Sequence, residues 1–178
     1  MFGRSGLVEF RVAGPDDLPK LSSRILSSLD QSSDFYQENV SKFGIPEEYV
    51  KRAFSEGALR GAASKGSKFY LALEGDEILG FCQMVPQGGE KAELDRIVMF
   101  PSYMGKGFGS RLLEFSIEDQ AREGKREIIV YAGRDERRAR AFYEKNGFEF
   151  TGEVSVDAPW GKRVDLAIYR LEIGRDIG

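Results

Sequence analysis

The hydrophobic pattern of the first thirty residues changes from a strand period to a helix period. Val8–Val12 alternates in the way that predicts a strand, which ends near Pro15. Asp16 or Asp17 can cap the helix that follows, because a side-chain oxygen there can accept a hydrogen bond from a free backbone N–H group. The apolar residues at helical spacing are Leu18, Leu21, Ile25 and Leu29.

The pattern weakens from Asp30 to Gly44, which we interpret as a variable lid, and a second helix is predicted from Pro46 through about Ala63. This region has two interpretations. Its acidic and aromatic side chains could receive a cationic substrate, or they could pack and be solvated. The second is favoured because charged residues belong on surfaces. The residues concerned are Asp34, Phe35, Tyr36, Glu38, Glu47 and Glu48.

Three strand-like runs then follow one another closely. Phe69–Leu73 and Ile78–Val85 flank the turn residues 74–77, which predicts a β-hairpin. Ala92–Met99 supplies the next strand after a second turn at residues 86–90. The three strands therefore predict an antiparallel meander.

The second half of the chain alternates strands and helices. One helix follows a glycine-rich segment, buries Leu112, Leu113, Phe115 and Ile117, and ends at Gly124. The predicted strands are Glu127–Ala132, Phe148–Val156 and Arg163–Ile173. A helix is predicted over Arg134–Asn146, where Gly147 stops it. Its buried residues are expected to be Ala139, Phe142 and Tyr143. This order predicts a mixed α/β (α+β) fold with a largely antiparallel central sheet flanked by helices.

Composition places the chain among ordinary globular proteins. It has 178 residues, 41% of them hydrophobic and 31% charged, which predicts one domain over residues 1–178. A net charge of −3 argues against general binding to nucleic acid or a membrane surface. No signal peptide or spanning segment is visible, and the single cysteine, Cys82, excludes an internal disulfide, so a cytoplasmic location is expected.

The chain contains no histidine. Histidine is the usual general base, the partner in most Ser or Cys nucleophile pairs, and a common zinc ligand. We therefore predict no metal site, and any general base must be another residue type.

The chemistry of the chain centres on the stretch from Ala92 to Ser110, AELDRIVMFPSYMGKGFGS, in which a strand leads through glycines into a helix. The first N–H groups of a helix have no partner within it, and they suit phosphate. Gly105, Gly107 and Gly109 permit close backbone approach, and Lys106 adds a cation. The spacing fits neither a P-loop nor a dinucleotide fingerprint.

Met104–Gly109 resembles the acyl-coenzyme A pyrophosphate loop of the GNAT superfamily of N-acetyltransferases, R/Q-x-x-G-x-G/A. Gly107 and Gly109 match, whereas Met104 stands where the family has Arg or Gln. The resemblance extends from about Val8 to Ile173 and implies a GNAT fold with acetyl-CoA as the cofactor. The residues expected at the cofactor are Ile97, Val98, Met99, Met104, Gly105, Lys106, Gly107, Phe108, Gly109, Ser110, Glu136, Ala139, Phe142 and Lys145.

A second run, ARAFYEKNGF at Ala139–Phe148, resembles the family signature A-x-x-F/L-Y-E-K-x-G-F. It implies that Tyr143 is the general acid that protonates the departing thiolate; the alternative is a tyrosine that only packs. Glu136 stands where the family often has Asn. Nearby cations could reach the adenosine phosphates or could be surface charges paired with acids, namely Arg137, Arg138, Arg140 and Lys145.

Direct attack by an amine needs a base, since an unperturbed lysine-like amine has a pKa of about 10.4. Glu93 is the first candidate, because the family often draws a Glu base from this strand, and Asp95 is the second. Backbone N–H groups at Ile97–Met99 could hold the thioester carbonyl. Alternation predicts one face with Glu93, Asp95, Ile97 and Met99 and the other with Leu94, Arg96 and Val98.

The predicted activity is acetyl transfer from acetyl-CoA to a primary amine of a small molecule or peptide. The main alternative is a regulatory module that senses acyl-CoA without turnover, and nucleic-acid binding through the helix around Arg134–Arg140 ranks third. The acceptor pocket is expected near the lid and near Pro159 and Trp160, where Trp160 either stacks on substrate or packs. A homodimer is possible.

Overall fold

The computed structural model describes residues 6–29, 36 and 40–174, so most of the predicted lid lies outside the described residues. The strands are β1 (Val8–Val12), β2 (Lys68–Glu74), β3 (Glu77–Pro86), β4 (Lys91–Met99), β5 (Glu127–Gly133), β6 (Glu149–Asp157) and β7 (Arg163–Glu172). The helices are α1 (Asp17–Ser27), α2 (Glu47–Ala53), α3 (Glu56–Ser64), α4 (Phe108–Arg122) and α5 (Arg137–Lys145). Short 3₁₀ turns lie at Ser41–Phe43 and Pro101–Tyr103.

The seven strands form one sheet in the order β1-β2-β3-β4-β5-β7-β6. Every neighbouring pair is antiparallel except β4 and β5. The parallel pair arises because α4 carries the chain back across the sheet between these two strands, as a parallel connection requires. The predicted meander and the mixed α/β fold are confirmed.

Helices cover the two faces of the sheet with separate hydrophobic cores. On one face α4 contributes Leu112 and Leu113, and Phe142 and Tyr143 of α5 pack against the same core. On the other face α1, α2 and α3 bury the second core. The four apolar residues predicted for the inner face of this helix are all buried: Leu18, Leu21 and Ile25 lie within α1, and Leu29 follows its C-cap. Asp16 stands at the N-cap position, but its side chain makes no hydrogen bond to the helix. The Asp17 carboxylate instead accepts a hydrogen bond from the N–H of Gly14, before the helix, at 2.8 Å.

The single helix predicted from Pro46 through Ala63 is wrong, because two helices occupy that range. Ser55 has an extended backbone, with ψ of 154°, and its hydroxyl accepts a hydrogen bond from the N–H of Ala58 at 3.2 Å. A serine in this position starts a new helix. The chain therefore turns between α2 and α3, where apolar periodicity alone predicted continuity.

The predicted alternation along β4 is also wrong beyond Leu94. Gln83 of β3 pairs with Arg96, but the next residue, Met84, pairs with Leu94, so Asp95 is an extra residue in a β-bulge. Leu94 contacts the same core as Ile97 and Met99, while Val98 faces the other core. A bulge reverses the alternation after it, and the sequence gives no clear signal of one at this place.

None of the helices within the described ranges is both long enough and apolar enough to cross a membrane.

Candidate functional site

The glycine-rich segment ends in a helix start with free backbone donors. Gly105 and Gly107 have φ of 75° and 80°, a region that disfavours any residue with a Cβ, and Gly107 is the N-cap of α4. The first hydrogen bond of the helix runs from the Arg111 N–H to the Gly107 carbonyl at 3.3 Å. No side chain among the described residues caps this end. The N–H groups of residues 108–110 are therefore available to an anion.

This helix start lies where three elements meet. A Cβ placed on Gly109 would lie 3.5 Å from Cγ of Met99, at the end of β4, and 3.6 Å from Cε2 of Phe142 on α5. Asn146 links two of these elements, α4 and α5, since its Nδ2 donates to Ser110 Oγ at 3.2 Å and to the Phe142 carbonyl at 2.8 Å. The structure therefore brings the loop, the end of β4 and the tyrosine-bearing helix together.

Tyr143 is half-buried on α5 and faces the sheet. Its ring centroid lies 5.6 Å from that of Phe142, 5.7 Å from Phe148 and 6.2 Å from Tyr169. Burial raises the pKa of the Tyr143 phenol well above its ordinary value, and the nearby Cys82 adds to the rise. The hydroxyl group is consequently protonated at neutral pH, as a proton donor must be.

A gap opens between β4 and β5 beyond Glu93. The two strands pair only from Lys91 to Glu93 with residues 127–129. Beyond Glu93, no strand in the described ranges pairs with β4 on that side, whereas β5 pairs with β7 along its whole length. The far side of β4 is held closely to β3, because a Cβ on Gly80 would collide with Met99 Sδ and the Val98 carbonyl. The predicted role of the backbone N–H groups at Ile97–Met99 stays a prediction.

The two candidate bases on β4 have different surroundings. Glu93 is half-buried, and its Oε2 accepts a hydrogen bond from Gln87 Nε2 at 2.7 Å. Burial raises the pKa of the Glu93 carboxyl, and the negative charge of Asp95 raises it further. Asp95 itself is exposed on the bulge and lies 3.4 Å from the Arg96 guanidinium. Glu93 is therefore the better placed of the two to take a proton near neutral pH.

The side chains of the glycine loop offer few fixed contacts for an anion. Met104, which replaces the Arg or Gln of the family motif, is 44% exposed. The Lys106 ammonium is exposed and lies 5.9 Å from the centroid of the Tyr103 ring. Phe108 and Ser110 are half-buried at the start of α4. An anion here would be held mainly by backbone donors, with Lys106 as a mobile cation.

Helix α5 begins at Arg137, three residues later than predicted, because the Glu136 N–H bonds the Gly133 carbonyl at 2.9 Å and makes a turn. Glu136 is the N-cap residue, and its Cγ packs against Gly133. Ala139, Phe142 and Tyr143 are half-buried rather than fully inside. This local turn keeps residues 134–136 out of the helix.

The Arg140 guanidinium is engaged by protein groups. Its Nε donates to the Tyr169 hydroxyl at 2.8 Å, a terminal nitrogen donates to the Arg134 carbonyl at 2.8 Å, and the guanidinium lies 5.2 Å from the Phe150 ring centroid. Arg140 is half-buried, and its guanidinium is held by Tyr169 and Arg134. Lys145 is exposed and lines a groove of about 700 Å³, together with Ser110, Arg111 and Asn146.

The predicted acceptor side contains an aromatic pair. The rings of Tyr49 and Trp160 lie edge to face with centroids 5.3 Å apart, which supports the packing interpretation of Trp160. The Trp160 Nε1 is buried and has no hydrogen-bond partner among the described residues. Glu47 and Glu48 open α2, and Glu47 pairs with Lys51 at 3.1 Å. The predicted Asp34, Phe35 and Glu38 lie outside the described residues, while Tyr36 is half-buried.

Sequence reasoning missed Tyr169 and Asn146. Tyr169 is fully buried on β7, and its hydroxyl bonds to two residues of α5. A buried tyrosine hydroxyl needs a partner, and this was the available signal. The partners of the Tyr169 hydroxyl cannot be identified from sequence spacing, because the strand β6 separates α5 from β7 along the chain.

Comparison with known proteins finds similarity to one superfamily. Residues 65–150, just under half of the chain, match the model of the acetyltransferase (GNAT) domain, and they contain β4, the glycine loop and all of α5. The chain is also similar in fold to the PaiA N-acetyltransferase of Thermoplasma acidophilum, solved in complex with coenzyme A. The TM-score is 0.72 at 21% identity, with 94% of this chain and 99% of that chain covered.

Two curated relatives match different shares of this chain. It is 27% identical over 143 residues to the spermidine N(1)-acetyltransferase of Thermoplasma acidophilum, covering 80% of this chain and 88% of that protein. It is 33% identical over 75 residues to the mycothiol acetyltransferase of Corynebacterium efficiens, covering 42% of this chain. That match spans only 25% of the mycothiol enzyme's length.

Proposed function

We propose that this protein is an N-acetyltransferase that transfers the acetyl group of acetyl-CoA to a primary amine of a small molecule or peptide. The observation that carries the proposal is the junction at Gly107, where free N–H groups of α4 lie beside both the β4–β5 gap and the tyrosine helix. This arrangement offers an anion site and a proton donor within reach of one extended ligand.

The residues that would hold acetyl-CoA are the N–H groups of residues 108–110 and Lys106 for the pyrophosphate, and the open edge of β4 at Ile97–Met99 for the pantetheine arm. Acetyl-CoA supplies the reactive acetyl thioester. Lys145, which lines the same groove as Ser110, suits the adenosine end because it is exposed and cationic. Met104 adds no charge to this set.

Glu93 acts as the base in this proposal. An amine attacks only when neutral, and the raised pKa of Glu93 makes its carboxylate a stronger base than an ordinary exposed one. Glu93 takes the proton, directly or through water, as the new N–C bond forms. Asp95 on the bulge strengthens the base by its charge and is not itself the base.

Tyr143 holds the proton that the leaving sulfur needs. The C–S bond breaks as the N–C bond forms, and the sulfur leaves with the electron pair. The Tyr143 Oη supplies the proton that yields the neutral thiol, and its raised pKa keeps that proton in place until then. The phenolate is afterwards reprotonated from solvent.

The side chains on the acceptor side indicate the general class of the acceptor. The acceptor side contains the aromatic pair Tyr49 and Trp160 and the acids Glu93, Glu47 and Glu48. Acidic and aromatic groups suit a cationic amine. The spermidine-acetylating relative makes polyamines a natural first choice in a screen. A homodimer and a cytoplasmic location stay predictions.

The proposal is tested with the purified chain by calorimetric titration of acetyl-CoA and by thiol release against polyamines, small amines and peptides. We expect binding in the micromolar range, and release of coenzyme A only with an amine present. Tyr143→Phe should lower kcat by about a hundredfold while the KM for acetyl-CoA changes little, because general acids act in the transition state.

Two results would contradict the proposal. Failure of the chain to bind acetyl-CoA would remove the cofactor assignment altogether. Tight binding without thiol release across the whole amine panel would favour the alternative of a sensor that keeps the fold and the pocket.

A further inference from the structure

Tyr169 makes its only two side-chain hydrogen bonds within the described residues to α5. The ring is fully buried in the core beneath that helix. Its hydroxyl accepts a bond from Arg140 Nε at 2.8 Å and donates one to Glu144 Oε1 at 2.8 Å. Arg140 and Glu144 stand one helical turn apart, so the hydroxyl joins both ends of a single turn.

That turn contains Tyr143. Residue 143 directly precedes Glu144, and the Tyr143 ring lies 6.2 Å from the Tyr169 ring. Fixing residues 140 and 144 to one atom on the sheet fixes the rotation of α5 about its axis. The rotation of the helix determines where the Tyr143 hydroxyl group points.

Helix α5 needs such a constraint because it is weakly anchored otherwise. It has nine residues, and none of its side chains is fully buried. Isolated helices of that length are marginal in water and depend on tertiary contacts. The Arg140 guanidinium extends the constraint, since it also donates to the Arg134 carbonyl in the loop before the helix at 2.8 Å.

We propose that Tyr169 is a positioning residue whose hydroxyl group, through Arg140 and Glu144, directs the side chain of Tyr143 toward the β4–β5 gap. The inference rests on the proposed acid role of Tyr143. Tyr169 lies under the helix and acts through it, without contact to the reacting atoms.

The test replaces Tyr169 by Phe, which keeps the ring packing and removes only the hydroxyl. Tyr70→Phe is the matched control. Tyr70 is also fully buried, and its hydroxyl also makes two bonds, to Asp119 at 2.6 Å and from Gln120 at 2.8 Å, away from α5. A purely structural loss of a buried hydroxyl would affect both variants alike.

Tyr169→Phe should lower kcat about tenfold and leave the KM for acetyl-CoA within about twofold, since only the orientation of the acid changes. Tyr70→Phe should leave both within about twofold. The double variant Tyr143→Phe/Tyr169→Phe should be no slower than Tyr143→Phe alone, because residues that act as one unit are not additive. Glu144→Ala, at an exposed position, should lower kcat about threefold. This variant replaces Tyr169→Phe as the test if Tyr169→Phe does not fold.

A second measurement does not depend on turnover. In protein labelled with ¹³C at tyrosine Cζ, the Tyr143 resonance is the one lost in Tyr143→Phe. It should shift or broaden in Tyr169→Phe and stay in place in Tyr70→Phe. An unmoved Tyr143 resonance, or equal kcat losses in the Tyr169 and Tyr70 variants, would overturn the inference. Unchanged kcat in Tyr143→Phe would instead remove the acid role, while the resonance would still report on Tyr169.

Discussion

Two carboxylates two residues apart on β4 illustrate how much one side chain depends on its surroundings. Glu93 is half-buried and bonded by Gln87, whereas Asp95 is exposed on the bulge beside Arg96. Residue type alone cannot rank them, and their order in the sequence predicted a shared face that they do not have. Burial and the bulge favour Glu93 as the proposed base, with Asp95 as its electrostatic neighbour.

The pH dependence of turnover should follow Glu93. Activity should be lost as pH falls through its raised pKa, since the base must be ionised to accept a proton. Asp95→Asn removes the negative charge that helps to raise this pKa, so the acid limb of kcat/KM should move to lower pH. Glu93→Gln should lower kcat by about a hundredfold and abolish the limb.

Glu90→Gln is the control, because it removes an exposed negative charge three residues from Glu93. It should leave the acid limb in place. An acid limb that does not move in Asp95→Asn, measured with a saturating amine, would exclude Glu93 as the titrating base.

At the scale of the elements, α4 is anchored at the end opposite the glycine loop. Near its C-terminus, Asp119 accepts hydrogen bonds from Lys68 Nζ and Tyr70 Oη of β2, both at 2.6 Å. Gln120 donates to the same tyrosine at 2.8 Å. This network lies a helix length away from Gly107, so it holds α4 on the sheet and leaves the N-terminal donors free.

The network should contribute pH-dependent stability. Burial on its own raises the pKa of Asp119, but the bonds from Lys68 and Tyr70 outweigh it, so the pKa in the folded protein is lowered. A lowered carboxyl pKa stabilises the fold above the unfolded value of about 3.9, and that stabilisation is lost as pH falls through the folded pKa. Asp119→Asn should therefore lower the free energy of unfolding by about 1–3 kcal/mol at pH 7 and by less near pH 3.

Urea denaturation at the two pH values measures this difference. Glu123→Gln is the control, since Glu123 also pairs with Lys68 but its side chain is 48% exposed. An exposed pair contributes about 0–1 kcal/mol. An Asp119→Asn deficit that is equal at both pH values would contradict the ionised role of this carboxylate.

At the scale of the whole molecule, the order of strands and helices was predictable because each element has a strong period and clear boundary residues. The glycine loop and the run around Tyr143 were predictable because local spacing carries them. The break at Ser55, the bulge at Asp95 and the bonds of Tyr169 were not, because each depends on a partner that is distant in the chain or on a one-residue irregularity. The prediction of one domain stays a prediction.

That prediction has a direct test, because the two cores share the sheet. Tyr70 and Cys82 point into one core, and their neighbours Leu71 and Phe81 point into the other. We expect one unfolding transition, with coincident midpoints for far-UV circular dichroism and for fluorescence of the single tryptophan, Trp160.

A matched pair of variants probes each core separately. Leu21→Ala opens one core and Leu112→Ala the other, and both residues are fully buried. Each should destabilise both signals together by about 2–5 kcal/mol. A tryptophan transition that separates from the circular dichroism in either variant would indicate two independent units.

The bulge at Asp95 gives this strand one residue that its pairing does not need. The side chain is exposed, so most substitutions there should cost the fold little. Deleting Asp95 would leave Leu94 opposite Met84 and Arg96 opposite Gln83 as consecutive residues, so Ile97 and Met99 would keep their face of the sheet. A single in-frame codon loss here should therefore be far less damaging than the same loss at the paired residue Val98, which would turn Met99 away from its core.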